Sequence, residues 1–310
     1  MQIEKELAGF SPEKDMVLTI GVFDGVHLGH QYLISQLKDF ARQQDLLSGL
    51  VTFRQHPQDV LSPQIRLPFL TDITERIDLL KGEDVENIIV LSFTSELAQL
   101  SARQFVSLLK KYLKMRALVV GSDFTLGQNR EGDINNLRIL GQDMDFTVIA
   151  PKPLMINGEV VSSTAIRNAL ANGDMKKVLD LAGRPFRLNG CVVSGIGRGT
   201  KLGFPTANLD IALGRAIPPD GVYTAWAYIG EKTYQSVANI GKCPTFNGNQ
   251  RTVEVHILDY HGDLYGQNLK IDIIERLRGE KKFETANELK KQIADDVKQG
   301  KAKLNYRGIS

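Results

Sequence analysis

The sequence predicts two domains of different fold class, an α/β domain with a parallel sheet followed by an all-β domain that forms an antiparallel barrel. Its 310 residues are too many for one typical core, since a domain averages about 150 residues. Apolar runs alternate with helical patterns up to about residue 182, and strand patterns without helices follow. We therefore expect domains over residues 1–182 and 183–310.

Composition and charge narrow the class of protein. With 42% hydrophobic and 24% charged residues, the chain is typical of a folded globular protein. The net charge of +2 offers no general attraction to nucleic acid, and no apolar run approaches the roughly 20 residues of a membrane span. Because the first residues also lack the pattern of a signal peptide, we expect a cytoplasmic protein without nucleic-acid or membrane partners. Cys191 and Cys243 lack metal-site spacing and are expected to be small core residues, and the oligomeric state is left open.

Five apolar runs predict the strands of the first domain, which we expect to form a doubly wound, Rossmann-like sheet. Polar segments follow the first, second and fourth of these strands, at residues 24–30, 53–57 and 121–124. The carboxyl ends of parallel strands share one edge of a sheet, where ligands bind at a topological switch point. The three segments are therefore predicted to line one crevice. The five runs lie at residues 17–22, 50–53, 88–93, 118–121 and 146–150.

The segment Gly21–His30 carries the most informative motif, Gly-Val-Phe-Asp-Gly-Val-His-Leu-Gly-His. An apolar strand over Met16–Phe23 is expected to break at the Asp-Gly pair into a helix whose first turn carries His27 and His30 on one face. The glycines let the backbone approach a ligand, and a helix N-terminus offers N–H groups and a positive dipole end. This predicts a polyphosphate site, and His-x-Gly-His in this setting is typical of nucleotidyltransferases that act at the α-phosphorus of ATP. The alternative is a helix that merely begins with two exposed histidines.

A second helix N-terminus is predicted after the fifth strand, in Val-Ser-Ser-Thr-Ala-Ile-Arg at residues 161–167. Ser162 or Ser163 can cap this helix, which should end near residues 172–173. Its hydroxyl and N–H groups could hold the β- and γ-phosphates of ATP while Arg167 adds a delocalised cation. Helix capping alone is the alternative explanation of the serines.

Strand alternation without intervening helices predicts a small antiparallel barrel in the second domain. Turn signals at residues 229–232 and 260–263 are expected to join several strands as hairpins. A terminal amphipathic helix over about residues 285–298, with apolar side chains at four-residue spacing, should pack against the barrel. The expected strands lie at residues 186–193, 222–229, 234–240, 253–258 and 269–274.

The barrel carries a second set of chemical groups. A glycine-rich turn at residues 195–203 precedes Thr206 and Asn208, whose side chains project to one side of an extended chain and could complete the shell of a Mg²⁺ ion bound to nucleotide phosphates. Glu254 shares a strand face with His256 and can accept a proton from an attacking hydroxyl. The alternatives are a turn in which Thr206 and Asn208 bond their own backbone, and a glutamate that is merely solvated.

Together these motifs resemble the prokaryotic bifunctional riboflavin kinase/FMN adenylyltransferases, also called FAD synthetases, over essentially the full chain. The resemblance implies that the first domain transfers AMP from ATP to FMN and that the barrel phosphorylates riboflavin to FMN. It implies riboflavin, FMN and ATP as small-molecule partners, FAD as product and Mg²⁺ as cofactor. The adenylyltransferase motifs lie at residues 21–30, 52–57, 121–124 and 162–167, and the kinase motifs at residues 197–199, 205–208, 221–223, 253–256 and 280–283.

The motifs and the resemblance also assign roles to individual residues. His27 and His30 are expected to stabilise charge in adenylyl transfer, Glu254 is expected to be the kinase base, and Thr206 and Asn208 are expected to bind the metal. The residues expected at ATP in the first domain are Gly21, Phe23, Asp24, Gly25, His27, Gly29, His30, Asp123, Ser162, Ser163, Thr164 and Arg167. Those expected at the flavin of the first domain are Phe53, His56 and Pro57. Those expected at ATP in the barrel are Gly197, Arg198, Gly199, Lys201, Gly203, Pro205, Thr206 and Asn208.

Three positions depart from the usual family pattern. Gln55 stands where proline is usual, Leu126 where phenylalanine is common, and Ala165 where arginine is often found. Gln55 bears on the flavin contacts and Ala165 on the phosphate contacts of the first domain. Three rival classes remain: a nucleotidyltransferase for another phosphate, a flavin-binding regulator without turnover, and a nucleic-acid-binding barrel fused to an ATP-using domain.

Overall fold

The computed structural model describes residues 1–62, 64, 67–195, 197–242 and 251–306, without the side chains of residues 198, 201, 242 and 306. The chain divides into two compact units, Met1–Ser163 and Thr164–Ser310. The division precedes residue 182 because the helix over Met175–Ala182 packs against strands of the second unit. The boundary between residues 182 and 183 stays a prediction about separable domains.

A parallel sheet forms the centre of the first unit. Alternate residues of its central strand pack into different core clusters, Leu18 in one and Val17 in another, so both faces of the sheet are covered. The predicted doubly wound α/β fold is thereby confirmed. The strands are β1 (Met16–Ile20), β2 (Leu47–Phe53), β3 (Asn87–Leu91), β4 (Met115–Val119) and β5 (Thr147–Ile149). They pair in the order β3-β2-β1-β4-β5, with β1 between β2 and β4.

Several helices of this unit begin at side-chain caps that the sequence supplies. Asp72, Ser101 and Asp133 each accept a hydrogen bond from a backbone N–H in the first turn of the helix that follows. The helices are α1 (Gln2–Ala8), α2 (Leu28–Gln43), α3 (Pro57–Leu61), α4 (Ile73–Lys81), α5 (Ser95–Ala98), α6 (Ala102–Leu113) and α7 (Ile134–Met144), with a 3₁₀ turn at Gln128–Arg130.

Two local features of the first unit differ from the sequence prediction. The first strand ends at Ile20 rather than Phe23, because Phe23 has a φ of 54° and leaves the extended conformation. A short hairpin of β6 (Met155–Ile156) and β7 (Glu159–Val160) was not predicted. Its turn is Asn-Gly with φ values of 51° and 79°, the pair that favours a type I′ turn.

The second unit is built around a closed antiparallel barrel, as predicted. Its strands follow one another around the barrel in the order β10-β11-β12-β9-β8-β13. The elements are α8 (Ser163–Ala171, beginning at the last residue of the first unit), α9 (Met175–Ala182), β8 (Phe186–Val193), α10 (Arg198–Leu202), β9 (Ala207–Asp210), β10 (Gly221–Ile229), β11 (Lys232–Lys242), β12 (Arg251–Ile257), β13 (Asn268–Arg278) and α11 (Ala286–Tyr306).

The structure contains one of the two predicted hairpins. Ile229 pairs with Lys232, so β10 and β11 form a hairpin as expected. The expectation for residues 260–263 is wrong, because β12 and β13 are not neighbours. The short strand β9, which is absent from the predicted strands, pairs with β12 and separates it from β8 and β13.

A polar cluster joins three strands of the barrel. Arg187 of β8 forms a bidentate ion pair with the buried Asp272 of β13, with N···O distances of 2.7 and 2.8 Å. Tyr228 of β10 donates to the same carboxylate at 2.7 Å. Burial, followed by this carboxylate, raises the pKa of Tyr228 to about 12. The phenol therefore stays protonated as a donor and ties β10 to β13.

Helix α11 packs against the barrel, as predicted, but continues eight residues beyond the expected end at Lys298, to Tyr306. Asp296, only 3% exposed, accepts from Arg278 of β13 at 2.7 to 3.1 Å and from Gln292 one turn earlier at 2.9 Å. This buried ion pair fixes the helix to the barrel wall. Leu304, fully buried, explains why the helix continues.

Two further expectations concern cysteines and membranes. Cys191 is exposed, so its predicted core position is wrong. Leu188 and Val192 face inward on β8, and strand alternation turns Cys191 outward. Cys243 lies outside the described residues. No helix in the described parts of the chain is both long and apolar enough to cross a membrane.

We predict that Asp296→Asn destabilises the second unit by about 3–5 kcal/mol, because it leaves the Arg278 guanidinium, whose side chain is only 16% exposed, without its carboxylate. Trp226, the single tryptophan, lies in β10 and reports unfolding of this unit through its fluorescence in urea. The neighbouring Asp295→Asn is the matched control, since Asp295 is exposed on the same helix and should change stability by less than about 0.5 kcal/mol. Equal losses of stability in the two variants would contradict the assigned role of the ion pair.

Candidate active sites

The loop between β1 and α2 adopts an unusual backbone conformation. Phe23, Gly25 and Val26 have φ values of 54°, 85° and 32°, in the region that side chains other than glycine rarely adopt. All three residues are buried, so surrounding packing holds the strain. Such strain is typical of functional loops, where it preorganises a binding surface.

Asp24 anchors this loop through its carboxylate. The side chain is 3% exposed and accepts from the N–H groups of Leu70 and Thr71 at 2.9 and 3.0 Å. The Thr71 hydroxyl donates to the same carboxylate at 3.1 Å and accepts from the N–H of Gly25 at 2.9 Å. Asp24, predicted to contact ATP, thus holds the loop to the segment that precedes α4.

The two predicted histidines lie together at the start of α2. Their rings stack with centroids 3.6 Å apart, and the Phe23 ring meets His30 edge-on at 5.1 Å. His27 is the N-cap, and its Nδ1 accepts from the backbone N–H of His30 at 3.2 Å. A nitrogen that accepts carries no proton, so Nε2 of neutral His27 is the N–H donor. The helix terminus and this N–H can act together on an anion.

Gly29 brings the segment after the hairpin against this helix terminus. A Cβ at Gly29 would lie 2.7 Å from the carbonyl oxygen of Val161, so no larger residue fits without displacement. Two residues further on, the Ser163 hydroxyl donates to the Asp24 carbonyl oxygen at 2.8 Å. Ser162 and Ser163 therefore lie beside the histidine loop, as predicted.

Helix α8 begins at Ser163 and ends at Ala171, close to the predicted end. Thr164 is exposed and Arg167 half-buried on this helix, both within the second unit. Their predicted contacts with ATP stay predictions. Ala165, one of the departures from the family pattern, is buried in the helix.

The residues expected at the flavin lie at the end of β2 and just after it. Phe53 is buried and meets Phe93 edge-on at 5.3 Å, so its ring belongs mainly to the core. His56 caps α3, its Nδ1 accepting from the N–H of Gln58 at 3.1 Å, and Pro57 occupies the first turn. Their flavin contacts stay predictions.

Gln55 and Leu126, which depart from the usual family pattern, both make contacts within the first unit. Gln55 donates from Nε2 to the Phe93 carbonyl oxygen at 2.8 Å, tying the segment after β2 to the one after β3. Leu126 is buried in the core of the first unit. Asp123, expected at ATP, is exposed beyond the carboxyl end of β4.

Sequence reasoning missed Arg76 on α4. Its guanidinium is 4% exposed and donates to the carbonyl oxygens of Val22 at 2.9 Å and Phe53 at 2.7 Å, joining the loops after β1 and β2. Burial lowers the pKa of Arg76, although nearby Asp24 opposes that shift. The sequence did carry one signal for Arg76. It lies four residues before Leu80, which is fully buried, so both side chains lie on the inward face of the helix.

The second unit contains a cavity of about 380 Å³ between the barrel and α11. Asn208 of β9 pairs with Glu254 of β12, and Glu254 pairs with Asn239 of β11. Directly paired residues have side chains on the same sheet face, so the three form a row that lines the cavity. The structure brings together the predicted Asn208 and Glu254. Asn239 was missed because a single exposed asparagine in a strand carries no local signal.

Thr206 and the glycine-rich segment complete this cavity. Thr206 and Asn208 line both this cavity and a neighbouring one of about 290 Å³. The predicted turn contains the short helix α10, with Gly197 and Gly203 as its caps. A Cβ at Gly199 would overlap the Phe204 carbonyl oxygen and lie 3.3 Å from Oγ1 of Thr206.

The contacts of the other residues predicted at ATP in the barrel stay predictions. The exposed Pro205 lines the neighbouring cavity. The side chains of Arg198 and Lys201 lie outside the described residues.

Hard oxygen donors are present for a metal ion at this site. The Thr206 hydroxyl and the Asn208 amide oxygen suit Mg²⁺, which keeps water and phosphate oxygens as its other ligands. Among the described residues, no group of three or more histidine, cysteine, aspartate or glutamate side chains could hold a metal ion alone. The donor set therefore fits a metal that arrives with a nucleotide.

Comparisons with known proteins match a separate family model to each half of the chain. A family model described as FAD synthetase matches residues 10–165, and one described as riboflavin kinase matches residues 182–304. The bifunctional riboflavin kinase/FMN adenylyltransferase of Escherichia coli K12 is 37% identical over 92% of each chain, and that of Pseudomonas fluorescens is 37% identical over 97% of each.

One solved structure has a similar fold over nearly the whole chain. A crystal structure described as a macrolide-efflux protein from Streptococcus pneumoniae superposes with a TM-score of 0.86 at 32% identity, covering 95% of this chain and 96% of that one. The shared fold, the identity over more than nine-tenths of the chain and the order of the two matched domains place this chain in the family of bifunctional riboflavin kinase/FMN adenylyltransferases.

Proposed function

We propose that the chain makes FAD from riboflavin in two ATP-dependent steps, each at its own site. The barrel phosphorylates riboflavin to FMN, and the first domain joins FMN to the AMP part of ATP and releases pyrophosphate. The observation that carries the proposal is that each unit assembles its own set of reactive groups. The stacked histidines lie at a helix N-terminus in one unit, and the Asn208–Glu254–Asn239 row lies in a cavity of the other.

In the kinase step, Glu254 takes the proton of the terminal ribityl hydroxyl as its oxygen attacks the γ-phosphorus of ATP, and ADP leaves. The glycine-rich segment beside Thr206 provides backbone N–H groups close to the phosphates. Thr206 and Asn208 are the residues that would hold Mg²⁺, which when bound neutralises phosphate charge. Positioning accounts for most of the expected rate enhancement, because phosphoryl transfer needs no covalent enzyme intermediate.

In the adenylyl transfer, a phosphate oxygen of FMN attacks the α-phosphorus of ATP. This nucleophile is already ionised, so a strong base is not needed and the protein has to stabilise charge. Nε2–H of His27, the ring of His30 and the N-terminus of α2 supply that stabilisation. We assign Ser162 and Ser163, which lie beside the histidine loop, to the phosphates that leave.

Asp24 and Arg76 receive a different role in this proposal. Both side chains are buried and bonded to backbone groups of the loops around the site. They therefore hold the loops in place, and the phosphates meet His27, His30 and backbone N–H groups instead. For the flavin, His56 offers its Nε2–H, since Nδ1 is occupied by the cap of α3.

Membership of the family favours this function over the rival classes. A nucleotidyltransferase for another phosphate does not account for the riboflavin kinase match over residues 182–304. A flavin-binding regulator would bind riboflavin without turning it over. A nucleic-acid-binding barrel would shift an oligonucleotide in a salt-dependent manner. Product analysis of both half-reactions with the full chain separates these classes from the proposed enzyme.

We expect Glu254→Gln to slow conversion of riboflavin to FMN by about 10²- to 10⁴-fold, since glutamine cannot accept the proton. Conversion of FMN to FAD should continue at the wild-type rate. Glu231→Gln is the matched control, because Glu231 lies exposed in the turn between β10 and β11. The two reactions are assayed separately by product chromatography. Near-normal kinase activity in the folded Glu254→Gln protein would remove Glu254 as the base.

We expect His30→Ala to slow FMN adenylylation by about 10²- to 10³-fold, since it removes one group that stabilises developing phosphate charge. Riboflavin phosphorylation should be retained, because His30 lies in the first unit. His261→Ala, at an exposed position of the second unit, should affect neither reaction. Circular dichroism checks that each variant is folded. Equal loss of both activities in His30→Ala would contradict the assignment of two sites.

A further inference from the structure

We propose that His256 is a positioning residue of the kinase site, which holds Thr206 in place by donating a hydrogen bond from Nδ1 to the carbonyl oxygen of Pro205. The inference rests on the proposed kinase function of the barrel for its catalytic consequence. The hydrogen bond itself can be tested without activity. His256 was noted in the sequence beside Glu254, but the proposed reaction leaves it without a role.

The first step of the argument is where backbone pairing stops. β9 and β12 pair through Leu209 with Val253, Asn208 with Glu254 and Ala207 with Val255. The next pair in this register would be Thr206 with His256, but β9 begins at Ala207. Thr206 therefore lies just beyond the ladder that fixes Asn208.

Beyond the end of the ladder, the side chain of His256 makes the next contact between the two segments. Its Nδ1 lies 2.8 Å from the carbonyl oxygen of Pro205, and its ring meets the Phe204 ring edge-on at 5.5 Å. Pro205 has no N–H group, so this residue cannot donate to a ladder, and its carbonyl oxygen is what it can offer for pairing. His256 thus fixes the residue that immediately precedes Thr206.

The same segment is fixed from a second direction. The N–H of Phe204 donates to the carbonyl oxygen of Gly199 at 2.8 Å. The backbone of Gly199 in turn lies against Phe204 and Thr206. With α10 on one flank and His256 on the other, residues 204–206 have little freedom to move. The Thr206 hydroxyl is therefore fixed in the position from which it would contact the phosphates.

The chemistry of the hydrogen bond dictates the tautomer of His256. A carbonyl oxygen can only accept, so Nδ1 must carry the proton. In the neutral ring, Nε2 is then the unprotonated nitrogen. His27 and His56 show the reverse arrangement, because Nδ1 of each accepts from a backbone N–H. The structure thus assigns opposite tautomers to His256 and to these two histidines.

Nuclear magnetic resonance of the full chain labelled with ¹⁵N-histidine tests this assignment directly. At a pH where the histidines are neutral, we expect a ring with protonated Nδ1 whose signals disappear in His256→Asn. His27→Asn and His56→Asn should instead each remove a ring with protonated Nε2. A His256 ring protonated at Nε2 alone would overturn the proposal, whatever the protein's activity.

Kinetics test the positioning role. We expect His256→Ala to reduce kcat/KM for riboflavin phosphorylation by up to about 100-fold, mainly through a higher KM for Mg-ATP, since the Thr206 segment loses one support. His256→Asn should recover most of the loss, because its amide N–H can reach the same carbonyl oxygen. Unchanged FMN adenylylation and Trp226 fluorescence confirm that both variants are folded.

Two kinetic results would overturn the proposal. Equal loss of kcat in His256→Ala and His256→Asn, with KM unchanged, would make His256 an acid or base rather than a positioning residue. Wild-type kinetics in His256→Ala would show that Thr206 needs no such support. An intact chain that fails to phosphorylate riboflavin would instead refute the proposed kinase function, and the tautomer experiment would still decide the hydrogen bond.

Discussion

In each unit, two backbone segments approach one another more closely than a Cβ atom would allow, and the site groups are placed by that approach. Gly29, at the start of α2, lies against the carbonyl oxygen of Val161. Gly199, in the short helix α10, lies against the carbonyl oxygen of Phe204 and the side chain of Thr206. A larger residue would push these segments apart. Because interiors are close-packed, such a displacement would carry the attached side chains with it.

Buried hydrogen bonds hold these segments in place. Asp24 and Arg76 bond to backbone groups of the loops in the first unit, and Asp296 bonds to Arg278 under α11 in the second. A buried charge without its partner is costly, so these bonds over-determine the geometry around the sites. His256 adds an exposed hydrogen bond, to the carbonyl oxygen of the last residue before Thr206.

Much of the architecture could be predicted from sequence because periodicity and turn chemistry are local. The five parallel strands, the barrel and the α11 face follow from apolar spacing. Thr206 and Asn208 stood out because they lie two residues apart in an extended segment, and Glu254 because it alternates with the apolar residues of its strand. The side-chain contacts of Asp24 could not be predicted, since they depend on residues about 46 positions away in the chain. Asn239 and the strand β9 were missed for the same reason, because their roles arise from pairing across the barrel.

The most direct test of the close-approach constraint replaces the two glycines separately in the full chain and measures both reactions. Gly29→Ala should reduce FAD formation from FMN by about 100-fold and leave riboflavin phosphorylation intact, while Gly199→Ala should do the reverse. Gly9→Ala, where a Cβ would meet its nearest neighbour at an ordinary 3.5 Å, is the matched control and should alter neither rate. A folded Gly29→Ala protein that forms FAD at the wild-type rate would contradict the account.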